Sequence, residues 1–170
     1  MGEIRSTLDI IMEKARKLEV TEEEKTEIQR KETVARAKGM VQKYLDGLLQ
    51  LKEMMDEIEN MEPVVKDWAI EAIRNECRDR IDPEKDNSQL LLVLERVLGL
   101  DTKSLKELIE LHREDLSKEA ERIKQQMELE LRAKGIRGTA VVINHRASPD
   151  WATYREKLRR KFKEKVRELL

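Results

Sequence analysis

The 170-residue sequence predicts an all-α fold: a helical bundle with two long helices (about 22–60 and 103–134) and one extended strap near 139–144. Three observations carry this expectation. Apolar residues recur at three- and four-residue intervals over most of the chain, which gives each helix one stripe to bury. Aromatics are only 3% of residues and charged side chains 42%, so the core must be built from Leu, Ile, Val, Met and Ala. Acid-to-cation pairs also stand in the favourable i,i+4 order at Glu13–Lys17, Glu27–Lys31, Glu32–Arg36, Glu114–Lys118 and Glu156–Arg160. Each such pair stabilises an exposed helix by about 0.3–0.5 kcal/mol.

A first helix is expected over 6–19, opened by Ser6 and Asp9 and striped by Ile4, Leu8, Ile11, Ala15 and Leu18. Thr21 and Glu24 form a capping box for the second helix, and Glu22 and Glu23 suit the positive end of its dipole. Its stripe is Val34, Ala37, Val41, Tyr44, Leu48, Leu51, Met55 and Ile58, a strict 3-4 alternation of the coiled-coil or helical-hairpin kind. Gly39 and Gly47 inside that run are expected to mark close helix approaches, because each costs about 1 kcal/mol against Ala. Residues 22–33 carry little apolar surface and are expected to project from the body.

Asn60 and Pro63 break the chain before a helix over 63–81, with Val65, Trp68, Ala69, Ala72, Ile73 and Cys77 facing inward. Residues 82–87 (Asp-Pro-Glu-Lys-Asp-Asn) are the clearest loop. A short helix over 88–98 is apolar all round at 90–94, hence buried on several sides, and Gly99 ends it. The next helix, 103–134, carries Leu105, Ile109, His112, Leu116, Ala120, Ile123, Met127 and Leu131 in an 11-residue repeat, which gives a nearly straight path. Lys134 and Gly135 cap it. Thr139–Asn144 is the one segment with β character, expected as a strap over the bundle in preference to pairing with a copy, with either Val142 or its neighbours Val141 and Ile143 buried. Ser148-Pro149-Asp150 starts a last helix that runs to the end. With no internal repeat or low-complexity linker, residues 1–170 read as one domain with a possible protruding hairpin.

Composition excludes several functions. Lys plus Arg (35) nearly cancels Asp plus Glu (36), which argues against a globally basic nucleic-acid coat. The longest apolar run is five residues, against the roughly 20 a membrane span needs. Abundant Glu, Lys and Arg with four Asn and six Gln matches the ion-pair chemistry of thermophile-like proteins. A single cysteine, Cys77, and no signal-peptide stretch point to a reducing, cytoplasmic setting.

Motifs for chemistry are sparse. His112 lies on an apolar stripe, so it reads as a packed histidine, and His145 has no recognisable nucleophile beside it. Cys77 falls on an inward face and reads as a small buried hydrophobe. Gly135-Ile136-Arg137-Gly138 has the Gly-x-x-Gly form of a backbone clamp, but it lies between a helix and an extended segment rather than between two helices. Glu53, Asp56, Glu57, Glu59 and Glu62 make an acidic patch without the oxygen cage calcium prefers. No catalytic residue, cofactor or metal site is expected.

Two blocks carry a family likeness. Gly2-Glu3-Ile4 before a helix, and residues 135–141 (Gly-Ile-Arg-Gly-Thr-Ala-Val) followed by Pro149-Asp150-Trp151, resemble a family of small, helix-rich bacterial proteins with no assigned activity. The resemblance covers the two ends of the chain and transfers no functional residue.

The expected function is therefore non-enzymatic: a scaffold or adaptor acting through homo-oligomeric and partner helix contacts. The expected dimer interface is Val34, Val41, Tyr44, Leu48, Leu51, Met55 and Ile58. The alternative is nucleic-acid or anionic-surface binding by the last helix, which holds eight basic and three acidic residues from Arg155 onward. Arg159, Arg160, Lys161, Lys163 and Arg167 would make that contact, with a membrane the less favoured target. The same helix bears an apolar stripe, Trp151, Tyr154, Leu158, Phe162, Val166 and Leu169, expected to dock on the bundle.

Overall fold

The computed structural model describes residues 21–136, 138 and 141–170. The expected helix over 6–19 and the start of the strap at 139–140 lie outside the described residues. Among the described residues the chain is all-α. The helices are α1 (Glu22–Leu45), α2 (Leu51–Glu59), α3 (Pro63–Arg80), α4 (Ser88–Leu92, continued by a π turn at Val93–Val97), α5 (Lys103–Ala133) and α6 (Pro149–Leu169).

The capping box of α1 forms as expected: Thr21 Oγ1 accepts from the Glu24 N–H at 3.1 Å, and Glu24 accepts from the Thr21 N–H at 2.8 Å. The single helix expected over 22–60 does not. It stops at Asp46, and Gly47 takes a left-handed φ of 73°. The Leu48 N–H then bonds the Lys43 carbonyl at 2.8 Å and the Gly47 N–H bonds Tyr44 at 3.0 Å. This is the Schellman arrangement, which satisfies carbonyls the helix end would otherwise strand. Gly47 is thus a helix stop and not a close approach. Nor is Gly39 one, since a Cβ there would meet nothing within 4 Å. Gln50 and Glu53 restart the chain as α2 with a reciprocal cap.

The short α2 turns the chain back, so α1 and α3 run parallel. Arg30 pairs with Glu71 at 3.7 Å and Lys38 with Glu76 at 3.8 Å, in the same order along both helices. Ala37, Met40 and Val41 of α1 meet Ala69, Ala72, Ile73 and Cys77 of α3 in the core, joined by Met54 and Ile58 of α2. Small alanines let the two backbones approach closely. In α4 the Leu98 N–H reaches back five residues to Val93, and this wide turn leaves Val93 and Leu94 both at 0% exposure. Leu92 escapes the expected all-round burial and is exposed.

The 11-residue repeat of α5 appears as one buried stripe: Leu105, Ile109, His112 and Ile123 are buried, and Leu116, Ala120, Met127 and Leu131 half-buried. The α6 helix returns antiparallel along it, with Phe162 against His112 and Tyr154 near Asp115 and Glu119. Phe162 and Val166 join the central core, so the expected docking of the last helix is realised. Leu169 is the exception at 46% exposed, and Leu170 packs against the core in its place.

Both long helices outrun the core. Residues 22–32 of α1 are exposed throughout, as their composition predicts. The end of α5 continues past the start of α6, and among the described residues only the returning chain lies beside it. There the expectation of a buried strap fails. Val142 is 91% exposed, Val141 is exposed, and Ile143 alone is half-buried. The Gly135 cap turns the chain at the end of α5, and among the described residues nothing covers Val142.

Candidate functional site

Among the described residues, polar contacts concentrate on the loop 82–87 and the two helices that grip it. Asn87, buried at 5% exposure, closes the loop on itself. Its Oδ1 accepts from the Asp82 N–H at 3.1 Å, and its amide donates to the carbonyls of Asp82 (2.8 Å) and Lys85 (3.0 Å). Pro83 is fully buried beneath. Arg113 of α5 donates to the carbonyls of Pro83 and Lys85, both at 2.9 Å. From α6, Arg155 makes a bidentate pair with Glu84 at 2.8–3.0 Å, and Arg159 bonds Asp82 at 2.9 Å. Three arginines on two helices therefore hold one loop.

Beneath this clasp lies His112. It is 3% exposed, its ring meets Phe162 edge-to-face with centroids 5.2 Å apart, and neither ring nitrogen has a hydrogen-bond partner among the described residues. Burial holds its pKa below the ordinary histidine value. Glu84, Asp115 and Asp82 pull it partly back up, and Arg159 pushes it down again. His145 sits elsewhere, edge-to-face with Trp151 at 4.7 Å.

No family model, curated protein or solved structure matches the chain.

The seven residues expected at an oligomer interface divide. Val41 and Ile58 belong to the core within one chain, and Val34, Tyr44 and Leu51 pack half-buried against it. The helix break at Gly47 folds the second half of the stripe back onto the first, so these five already have intrachain partners. Leu48, at 77% exposed, and Met55, at 41%, remain outside. Of the cations on the last helix, Arg159 is tied to Asp82, while Arg160, Lys161, Lys163 and Arg167 are exposed.

Cys77 is fully buried, as its position on α3 predicts, and burial, helped by Glu76, pushes its thiol up to about 12. The acidic patch is partly used up locally: Glu57 pairs with Arg36 at 2.6 Å, and Glu53 caps α2. Of the expected i,i+4 pairs, Glu13–Lys17 lies outside the described residues, and Glu27–Lys31 (2.7 Å) and Glu114–Lys118 (3.4 Å) form. Arg36 turns from Glu32 to Glu57 on α2. Among the described residues no cluster of His, Cys, Asp and Glu could hold a metal ion, and no helix is long and apolar enough to cross a membrane.

One further feature was invisible to sequence reasoning. Leu131, Ile136, Val141 and Ile143 line a groove of mixed polarity between the end of α5 and the returning chain, together with Glu121, Lys124, Gln125, Glu128 and Arg132. Of the four, Leu131 alone belongs to the helical stripe of α5. The groove arises from where the chain doubles back at Gly135.

Proposed function

We propose that this chain is a non-enzymatic, cytoplasmic helical scaffold or adaptor that works through contacts with copies of itself and with partner helices. The groove at the end of α5 carries the reading. Four apolar side chains set among charged ones of both signs offer a surface that the apolar face of an amphipathic helix could cover. Nearby, Leu129 is 67% and Ile136 48% exposed, which is apolar surface that an interaction would cover. Leu48 and Met55 offer a second such surface. The family likeness of the two ends assigns no activity and adds no residue to this reading.

Light scattering across a concentration series tests it, with Leu131→Glu and Leu48→Glu as the two variants. A dimer mass for the parent that falls to the monomer in one variant, with helicity intact, supports the scaffold and tells which face is used. A parent that stays monomeric at high micromolar concentration removes the homo-oligomer.

Nucleic-acid binding is the second reading, favoured by the exposed run Arg160, Lys161, Lys163 and Arg167. Fluorescence anisotropy with duplex DNA or RNA decides it. Phosphate contacts alone give affinity that collapses as salt rises. Binding that persists near physiological ionic strength and is lost in Arg160→Glu/Lys163→Glu would favour this reading over the scaffold.

A further inference from the structure

We propose that His112 is a proton-operated latch for the last helix: proton uptake on its buried ring loosens α6 from α5 and from the loop 82–87 in mildly acidic medium.

The geometry makes the neutral ring the one that fits. His112 is 3% exposed and wedged against Phe162, with no partner for either nitrogen among the described residues. A charged imidazolium has two donors and must either find acceptors or stay desolvated, and an uncompensated buried charge is far costlier than a buried neutral ring.

The charged groups that face the ring determine how it could be accommodated once protonated. From the loop these are Asp82 and Glu84, from its own helix Asp115, and from α6 Arg159. Both loop carboxylates are already engaged, Asp82 by Arg159 at 2.9 Å and Glu84 by Arg155 at 2.8 Å. An imidazolium that recruits either one takes it from an arginine of α6. One that recruits neither is left buried beside the Arg159 cation, with Asp115, one turn along α5, as its remaining carboxylate. Recruiting either loop carboxylate weakens the hold on α6, and leaving both paired sets a buried cation beside Arg159 of the helix that supplies Phe162 and Val166 to the core.

The pH dependence has a definite sign. A histidine whose folded pKa lies below its unfolded value takes up more protons in the loosened state. Stability is then full above about 6.5 and lost as pH falls from there toward the folded value. Carboxylates titrate lower, so the first loss on acidification belongs to histidine. One linked proton changes the open-to-closed ratio by up to about tenfold per pH unit.

The test compares the full chain with His112→Leu, which fills the space and cannot titrate. Tryptic cleavage at the arginines and lysines of α6, timed against cleavage in α3, is monitored at pH 7.5 and pH 5.5. In the parent, α6 should be cut several-fold faster, relative to α3, at the lower pH, while His112→Leu shows no such gain. An equal gain in both proteins, or none in the parent, overturns the latch. The imidazole titration of His112 by NMR in the unmutated protein decides independently if the variant does not fold. A midpoint below that of an unstructured histidine is expected, and one at or above it also overturns the latch.

Discussion

Cys77 shows how burial at one position sets chemistry. Its thiol ionises near 9 when exposed and only near 12 in the fold. The folded chain therefore holds its proton where the unfolded chain has lost it, so stability is full below about 9 and declines as pH rises above that. A Cys77→Ala variant should flatten this alkaline loss in urea titrations, and a thiol reagent should label the parent only once it is unfolded. Asn87 is the second such position. Its side chain closes three hydrogen bonds within one loop, and Asn87→Ala leaves the partner groups unsatisfied at a cost of about 2–3 kcal/mol, read from the urea midpoint. Gly47 is legible in hindsight. Tyr44, Leu48, Leu51 and Met55 keep the 3-4 rhythm across the break, and that rhythm masked the Gly-Leu signature of a helix stop. Periodicity cannot distinguish one helix from two that meet in phase. Gly47→Ala forces a side chain into the left-handed region at about 1–2 kcal/mol.

Among the elements, α5 and α6 contrast in how much of their packing was readable. The stripe of α5 is regular enough that sequence alone places His112 and Ile123 on its buried face. The clasp was not readable, because Arg155–Glu84 and Arg159–Asp82 join residues 71 and 77 positions apart. No local pattern encodes such pairing, and the charges of α6 alone suggested an external partner as readily as an internal one. Magnitudes rank the contacts. Phe162 is buried at 2% exposure, and Phe162→Ala should cost about 3–5 kcal/mol. The Arg159–Asp82 pair is half open to solvent on the arginine side, and Arg159→Ala should cost no more than about 1 kcal/mol. Thermal melts of the two variants check the order. If Arg159→Ala were the more damaging, α6 would be held by charge and not by its apolar face.

Across the whole molecule, stability should be uneven. One core joins the six described helices, but α1 before Thr33 and α5 after Ile123 stand outside most of it. Hydrogen exchange should be fastest in residues 22–32 and 124–133 and slowest in α3 around Ile73, since amides far from the core open without global unfolding. Protection along 124–133 that emerges only at high protein concentration would locate a self-contact there.

The loop 82–87 also bears on how the chain tolerates added length. Its Pro, Asp and Asn residues would ordinarily mark a surface turn that accepts insertions. Here its backbone carbonyls receive Arg113 and its carboxylates receive Arg155 and Arg159, so spacing within it is fixed from three directions. A few glycines and serines placed between Glu84 and Lys85 would pull these sites out of register. The same residues placed after Gly47, where Leu48 faces solvent, would cost the backbone bonds to Lys43 but would meet no side-chain clasp among the described residues. A tag or a second domain grafted into this protein therefore belongs at the Gly47 turn, and the loop that looks most permissive is the one to leave intact.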